Sequence, residues 1–264
     1  MKILFSEARS DYDNYIFPYA IWGFPEKTET PATLFSHGFL PSSVNLDRFY
    51  LCRQIRVDLS LFEPSSENRR ILRKGTGIKV SLIARKDFEF TNERRDFLKN
   101  YADIKYGRDV MTLDRLDRLF NSEIVSHILL FEDEAHGTEV GIATLYLESP
   151  VLGYYYYAFY DLNYYQRNLG MYMMTSAVEC MARLGFKHLH LGTCYSKNAL
   201  YKFQFSGSEF FNGFEWSGNL KELKYLITRD LAPVTQHLLE TEEYLEKYQS
   251  ANLPKITQAS FFKV

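Results

Sequence analysis

The sequence predicts a mixed α/β fold with a small β-rich segment at its N-terminus. Two patterns predict this class: three consecutive strands over residues 126–161, and a strand–helix–strand order over residues 154–191. Strands joined by short turns pair antiparallel, whereas strands joined through a helix pair in parallel, so the sheet is mixed. The chain has 264 residues, 46% of them hydrophobic and 24% charged. That composition provides a folded core and excludes a wholly disordered protein.

The first half of the chain predicts short elements followed by helices. Residues 1–50 are rich in Pro and Gly, which indicates irregular structure with short elements. Residues 53–63 alternate apolar and polar side chains and predict a half-buried strand. Two helical segments are expected within residues 91–121, the first starting at Thr91 and the second with Thr112 as a candidate N-cap.

The second half predicts the sheet and its crossover. Three strands are expected over residues 126–131, 140–148 and 154–161, separated by turns. A helix is expected over residues 168–185, where apolar side chains recur at helical spacing and Gly185 follows. A strand over 188–191, a helix over 196–205 and a strand over 210–216 come next. A final helix is expected to start at Asp230 and Pro233 and to carry the acidic segment 240–246.

Charge and cysteine content exclude several classes of protein. The formal net charge is −2, which argues against a generally basic nucleic-acid binder. The three cysteines are widely spaced, so we expect no disulfide framework, no metal site and a reducing, cytoplasmic location. No run approaches the roughly 20 apolar residues of a membrane span, and the N-terminus does not have the pattern of a secretory signal. We therefore expect no membrane partner.

The junction over residues 161–170 joins the end of a strand to the start of a helix. Ligands often bind at such junctions, because the free N–H groups and the positive end of the helix dipole face outward there. Arg167 and Gly170 resemble half of the Arg/Gln-x-x-Gly-x-Gly/Ala loop of the GNAT acyltransferase superfamily. That loop holds the pyrophosphate of an acyl-coenzyme A, so the resemblance implies a GNAT-like fold. Tyr172 stands where the loop has its second small residue, which argues against coenzyme A.

Residues 55–75 and 169–205 together resemble the arginyl-tRNA–protein transferase family. The family's Phe-x-Pro-Ser turn leads into a basic helix start, which here comprises Arg69, Arg70, Arg73 and Lys74. Its later motifs match Asn168-Leu169-Gly170, Leu184-Gly185-Phe186, Leu191-Gly192-Thr193 and Tyr201-Lys202. The resemblance implies transfer of an amino acid from aminoacyl-tRNA to a protein N-terminus, without a further cofactor. Of the family's four-cysteine cluster only Cys52 remains.

The resemblance also implies a division of the chain and a set of site residues. Residues 1–85 match the family's N-terminal domain, residues 86–230 the GNAT-like aminoacyltransferase domain, and residues 231–264 a C-terminal helix and tail. Asp161 is the expected group that orients or deprotonates the acceptor amine. Tyr201 and Lys202 are expected at the oxyanion or the tRNA terminus. The other expected substrate-binding residues are Arg167, Gly170, Tyr195 and Trp216. Strand alternation adds Tyr157 and Phe159, which share one face with Asp161. That face predicts either an aromatic substrate pocket or an ordinary wall of the core.

The basic helix start belongs to a longer positively charged stretch. Residues 69–95 contain nine basic and three acidic residues, a surplus of six positive charges. Such a stretch suits the phosphates of a tRNA acceptor end, and a solvated charged face explains it equally well. Arg69, Arg70, Arg73 and Lys74 are therefore the candidate tRNA-binding residues.

Two other functions remain open from the sequence. The GNAT-like loop also fits an acyl-coenzyme A-dependent N-acetyltransferase, which would use acetyl-coenzyme A as its donor. The missing cysteines also fit a non-catalytic binding protein on the same fold.

Overall fold

The computed structural model describes residues 1–8, 13, 18–260 and 262, with only the backbone for residues 165–167. The strands are β1 (Lys2–Glu7), β2 (Tyr19–Phe24), β3 (Phe39–Pro41), β4 (Phe49–Leu51), β5 (Gln54–Asp58), β6 (Ile78–Ala84), β7 (His127–Asp133), β8 (Thr138–Glu148), β9 (Leu152–Tyr160), β10 (His188–Thr193), β11 (Ser208–Phe211) and β12 (Trp216–Ser217). The helices are α1 (Pro31–Ser36), α2 (Ser66–Lys74), α3 (Asn92–Tyr106), α4 (Leu113–Phe120), α5 (Leu169–Arg183), α6 (Leu220–Arg229), α7 (Glu242–Gln249) and α8 (Leu253–Ala259).

The strands form two sheets. A four-stranded sheet has the order β1-β2-β4-β3, and an eight-stranded sheet has the order β12-β11-β5-β10-β9-β8-β7-β6. In the larger sheet β9 and β10 are parallel and their other neighbours are antiparallel. The predicted mixed α/β class with a small N-terminal β-rich part is confirmed. Because β5 and β6 pair within the larger sheet, the predicted 1–85 segment is divided between the two sheets.

The predicted elements in the middle of the chain are confirmed. Thr91 and Thr112 accept N–H hydrogen bonds as the N-caps of α3 and α4. The three-strand meander is β7–β8–β9, and α5 connects β9 to β10. The predicted helix over 196–205 is a 3₁₀ helix over Lys197–Phe203.

The prediction for the C-terminal helix is wrong. The helix α6 already ends at Arg229, and α7 begins only at Glu242. Asp230 is instead the C-cap of α6, and its N–H donates to the carbonyl oxygen of Leu226, so it ends one helix rather than starting the next.

Apolar side chains from the two faces of the large sheet enter two different cores. Leu129, Phe131 and Tyr155 pack in the core that contains α5 and α6. Ile128, Leu130 and others pack in the core that contains α1, α3 and α4. This alternation follows from the two-residue period of a strand. Within the described residues, no helix combines the length and the apolar character that a membrane span requires.

One close contact fixes how α2 lies on α5. Gly75 follows α2 directly, and a Cβ built there would lie 1.9 Å from the Tyr172 ring. Tyr172 is buried, and its hydroxyl donates to the carbonyl of Ile78 at 3.3 Å. Only a residue without a side chain lets the two helices approach to this distance.

We expect Gly75→Ala to lower the free energy of unfolding by about 1–3 kcal/mol, because the added methyl overpacks the contact with Tyr172. Gly218→Ala is the matched control, because the nearest atom to its Cβ is a carbonyl oxygen 3.8 Å away. Urea denaturation of both variants measures the difference. Equal midpoints would contradict this account of the helix contact.

Candidate functional site

The candidate site is a cleft that opens where β9 and β10 separate. The two strands pair in parallel only from Leu152 with His188 to Tyr154 with His190. Beyond this point each strand has a bulge, at Tyr156 against β8 and at Leu191 against β5. A bulge bends its strand and ends regular pairing locally. The strands therefore diverge just after their third pair.

The cleft has a volume of about 540 Å³. Tyrosine is the commonest residue in its lining. The described lining residues are Tyr101, Tyr106, Tyr155, Tyr156, Tyr157, Ala158, Tyr160, Asn168, Gly170, Met171, Met174, Leu191, Tyr201 and Lys202. Among them Lys202 is the only residue with a formal charge at neutral pH.

Each wall of the cleft comes from a different element. The end of β9 provides the tyrosines from Tyr155 to Tyr160, and the start of α5 provides Gly170 and Met171. Gly170 lies close to β9, since a Cβ built on it would be 3.0 Å from the Tyr160 hydroxyl oxygen. The last turns of α3 carry Tyr101 and Tyr106 to the same cleft.

The bulge at Tyr156 changes which face of β9 its residues occupy. Regular alternation predicts Tyr155, Tyr157 and Phe159 on one face. In the structure Tyr155 and Ala158 face the α5 core, whereas Tyr157 and Phe159 pack with the opposite core. Phe159 is fully buried there and stacks on Tyr157. Phe159 is therefore a core residue and is not among the described residues that line the cleft.

Lys202 is held at the floor of the cleft. Its ammonium donates to the carbonyl oxygen of Thr193 at 3.0 Å. Removal from water lowers the pKa of Lys202, and the neighbouring Cys194 thiol partly opposes that effect. Two positions before Cys194, Gly192 has φ +84°, a conformation that favours glycine, and a Cβ there would lie 3.5 Å from the ammonium nitrogen.

The tyrosine hydroxyls are neutral donors. Burial raises the pKa of Tyr101, Tyr106 and Tyr155, and the nearby tyrosines raise it further. The Tyr101 hydroxyl interacts with those of Tyr160 and Tyr106. Tyr155 differs, because its buried hydroxyl has no hydrogen-bond partner among the described residues. The described lining of the cleft thus includes both an unpaired hydroxyl, at Tyr155, and a cation, at Lys202.

The structure brings four of the predicted site residues to the cleft: Tyr157, Gly170, Tyr201 and Lys202. Asp161 follows β9, and its carboxylate accepts hydrogen bonds from the backbone and side-chain amides of Asn163, each at 2.8 Å. It is not among the described lining residues. The side chain of Arg167 lies outside the described part of the chain.

Tyr195 and Trp216 make their contacts near β5 and are not among the described residues that line the cleft. The Tyr195 hydroxyl accepts the N–H of Arg53 at 2.8 Å. The Trp216 indole donates to the carbonyl of Ser36 at 2.8 Å, and the Arg56 guanidinium lies 3.9 Å from its ring centroid. Trp216 therefore connects the segment that bears the small sheet to the large sheet.

The predicted tRNA-binding residues on α2 lie away from the cleft. α2 packs on the α5 face that carries Tyr172 and Ser176, whereas Gly170 and Met174 face the cleft. At 100° per residue these are opposite faces of α5. Arg69 donates to the carbonyl of Pro64 and Arg70 pairs with Glu67, while Arg73 and Lys74 are exposed.

Much of the remaining basic stretch is neutralised by ion pairs. Lys79 pairs with Glu132, Arg94 with Glu139, and Arg95 with Asp117. Arg85 donates to the backbone carbonyl of Phe120. The surplus of charge counted along the sequence therefore does not form one positive surface.

Sequence reasoning missed Tyr101 and Tyr106. They lie five residues apart on α3, about 140° around the helix, so helical periodicity does not place them on one face. Only the position of the α3 end against β9 brings both rings to the cleft.

No family model matches the chain. The chain is 28% identical over 203 residues to "Aspartate/glutamate leucyltransferase" from Pseudomonas paraeruginosa. The aligned region covers 73% of this chain and 84% of that protein. Among solved structures, FemX matches with a TM-score of 0.45 and 11% identity over 61% of this chain and 59% of that one. A GCN5-related N-acetyltransferase from Sphaerobacter thermophilus matches with a TM-score of 0.36 and 14% identity, over 67% of this chain and 53% of that one. The fold class depends on the strand order given above, because these structural likenesses are weak.

We expect Tyr155→Phe to keep or raise the free energy of unfolding, by up to about 1 kcal/mol, because it removes an unpaired buried hydroxyl. Tyr172→Phe is the matched control and is expected to lose about 1 kcal/mol, since its hydroxyl has a partner at 3.3 Å. Chemical denaturation compares the two variants. A loss at Tyr155 equal to that at Tyr172 would show that the Tyr155 hydroxyl has a partner.

Proposed function

We propose that this chain is an aminoacyltransferase that moves an amino acid from aminoacyl-tRNA to the N-terminal amine of an acceptor protein. The observation that carries the proposal is the cleft between the diverging strands, whose described lining combines a tyrosine wall with Lys202. Similarity to the leucyltransferase from Pseudomonas paraeruginosa over 84% of its length supports it. A cytoplasmic location, where aminoacyl-tRNA is made, belongs to the same proposal.

The cleft favours a leucyl group over an arginyl group. Its described lining contains aromatic, methionine and leucine side chains and no carboxylate. A buried guanidinium without an anion is costly, whereas an isobutyl side chain gains from burial against such a wall. The relatives are named for leucyl transfer to aspartate or glutamate. We therefore propose leucine as the transferred amino acid and an acidic residue at the acceptor N-terminus.

The proposed reaction is attack of an amine on an activated ester. The acceptor α-ammonium has an ordinary pKa of about 8 and must first lose a proton. The neutral amine attacks the ester carbonyl carbon, a C–N bond forms, and the C–O bond to the ribose breaks. The ribose oxygen leaves with a proton. This step needs positioning of two substrates and stabilisation of one developing oxyanion.

The proposed roles follow from the groups in the cleft. The Lys202 ammonium is the cation available to the tetrahedral oxyanion. Neutral tyrosine hydroxyls, including the unpaired one of Tyr155, are donors for the substrate's carbonyl or amine. The Asp161 carboxylate accepts two hydrogen bonds from Asn163, and its role as the base remains a prediction from the sequence.

The direct test supplies radiolabelled leucyl-tRNA or arginyl-tRNA with peptides that begin with Asp, Glu or Ala. We expect leucine on the peptides with an acidic N-terminus and much less on the Ala peptide. An acetylated peptide is the control, because it has no free amine. Failure to transfer any amino acid from any aminoacyl-tRNA would contradict the proposal.

We expect Lys202→Met to lower kcat by about 10²–10³-fold, as removal of an oxyanion donor does elsewhere. Lys197→Met is the control, because Lys197 is exposed and is not among the described cleft residues. Wild-type activity in Lys202→Met, with the fold intact by circular dichroism, would remove Lys202 from the mechanism.

The lowered pKa of Lys202 predicts the direction in which kcat changes with pH. If kcat needs the charged ammonium, kcat falls as pH rises through that pKa, and the fall begins at a lower pH than for an ordinary lysine. Lys202→Arg keeps its charge throughout this range, so the alkaline fall should move to higher pH. An unchanged alkaline limb in a pH–kcat profile of Lys202→Arg would assign that limb to another group.

One observation also favours the acyl-coenzyme A alternative. The cleft lies between splayed parallel strands at the N-terminus of α5, and Tyr172 is buried against Gly75 rather than lining it. A binding ligand raises the melting temperature with its concentration. An increase in melting temperature with acetyl-coenzyme A, together with acetylation of the peptide amine in the absence of tRNA, would favour acetyl transfer over the proposed aminoacyl transfer.

A further inference from the structure

We propose that a groove beside α4 binds the single-stranded 3′ end of the RNA donor, next to the cleft where its aminoacyl group reacts. The identity of the ligand rests on the proposed function. The groove has a volume of about 380 Å³. Its described lining includes Ser42 and Val44 from the N-terminal part of the chain, Arg115 and Arg118 from α4, and Tyr156 and Tyr157 from β9.

The groove and the cleft share a wall. Tyr156 and Tyr157 line both, and their ring centroids are 4.4 Å apart. An extended ligand that occupied both spaces would therefore contact the same two rings. A nucleic-acid base stacks on such a ring with about 1–3 kcal/mol, whatever its sequence. The bulge at Tyr156 is what gives two successive tyrosines to this wall.

Positive charge lies along the groove. Arg115 and Arg118 are exposed and three residues apart, so they share one face of α4. Arg115 donates to the carbonyl of Val110 at 2.7 Å, and Arg118 approaches the carbonyl of Asp114 at 3.4 Å. Neither has a carboxylate partner in the described part of the chain. Both guanidinium groups are thus available to phosphate.

The geometry connects Arg115 to the shared tyrosine wall. Its charge acts on Tyr156 and opposes the increase in pKa that burial causes there. Arg48 extends the charge at the rim, because its Nε donates to the hydroxyl of Ser42 at 3.0 Å. An aromatic wall with guanidinium groups along one edge matches a base and its phosphate in a single strand.

The position of the basic helix α2 disfavours it as the binding site for the 3′ end. α2 lies on the face of α5 opposite to the cleft, and Glu67 neutralises Arg70. The groove, in contrast, adjoins the cleft directly through Tyr156 and Tyr157. Arg73 and Lys74 remain exposed on α2 and provide a matched control pair.

The test measures binding of a fluorescent, deacylated RNA oligonucleotide that ends in CCA, by anisotropy over a range of salt. We expect Arg115→Gln/Arg118→Gln to weaken binding about tenfold or more. The slope of log K against log salt should fall in magnitude by about 1.4, since each lost single-strand phosphate contact contributes about 0.7. Arg73→Gln/Lys74→Gln should leave both affinity and slope unchanged.

Several results would overturn the inference: no binding of the RNA by the wild type, equal losses in both double variants, or a loss only in the α2 variant. The single variant Arg118→Gln is a control for misfolding, because in the described part of the chain its guanidinium makes one hydrogen bond, the 3.4 Å contact to the carbonyl of Asp114. Melting temperatures check the fold of every variant. Deacylated RNA separates this inference from the proposed reaction. RNA binding through Arg115 and Arg118 without transfer would retain the groove and reject the reaction. Transfer at wild-type KM for aminoacyl-tRNA in the groove variant would retain the reaction and reject the groove.

Discussion

The site depends on one constraint, which is that β9 and β10 share only three residue pairs before they separate. Each strand keeps its other neighbour, β8 for β9 and β5 for β10, so the sheet continues on both sides of the opening. The bulges at Tyr156 and Leu191 lie directly after the last pair. Side chains of the separated strands, the start of α5 and the end of α3 then line the space between them.

Among its described lining residues, the cleft combines neutral donors with one cation, Lys202. Buried tyrosines stay protonated because removal from water penalises the phenolate. Lys202 keeps a hydrogen bond to Thr193 while burial favours its neutral form. In such surroundings a developing oxyanion interacts strongly with the donors that face it, since little water screens the charge. Substrate positioning and charge stabilisation are what transfer from an activated ester requires.

The electrostatics of the chain cannot be read from its linear charge pattern. The stretch 69–95 has a surplus of six positive charges, and ion pairs with Glu132, Glu139 and Asp117 neutralise three of its cations. Those three acidic partners come from 22 to 53 residues away along the chain. The arginines at the groove, on the other hand, follow acidic neighbours on α4 and give no surplus in the sequence. Tertiary pairing decides which cations remain for a ligand.

The sequence by itself determined the mixed sheet, the starts of α3 and α4 and the β9–α5–β10 crossover. These features depend on local patterns, namely strand alternation, helical periodicity and cap chemistry. Gly170, Tyr201 and Lys202 were expected from the family resemblance, and the structure places them in the described lining of the cleft. Only the tertiary structure decided that Phe159 is core, that Trp216 connects the large sheet to α1, and that Tyr101 and Tyr106 line the cleft. The physical reason is that a single bulge reverses the faces of every residue after it, and that a helix end reaches a site through packing rather than through spacing along the chain.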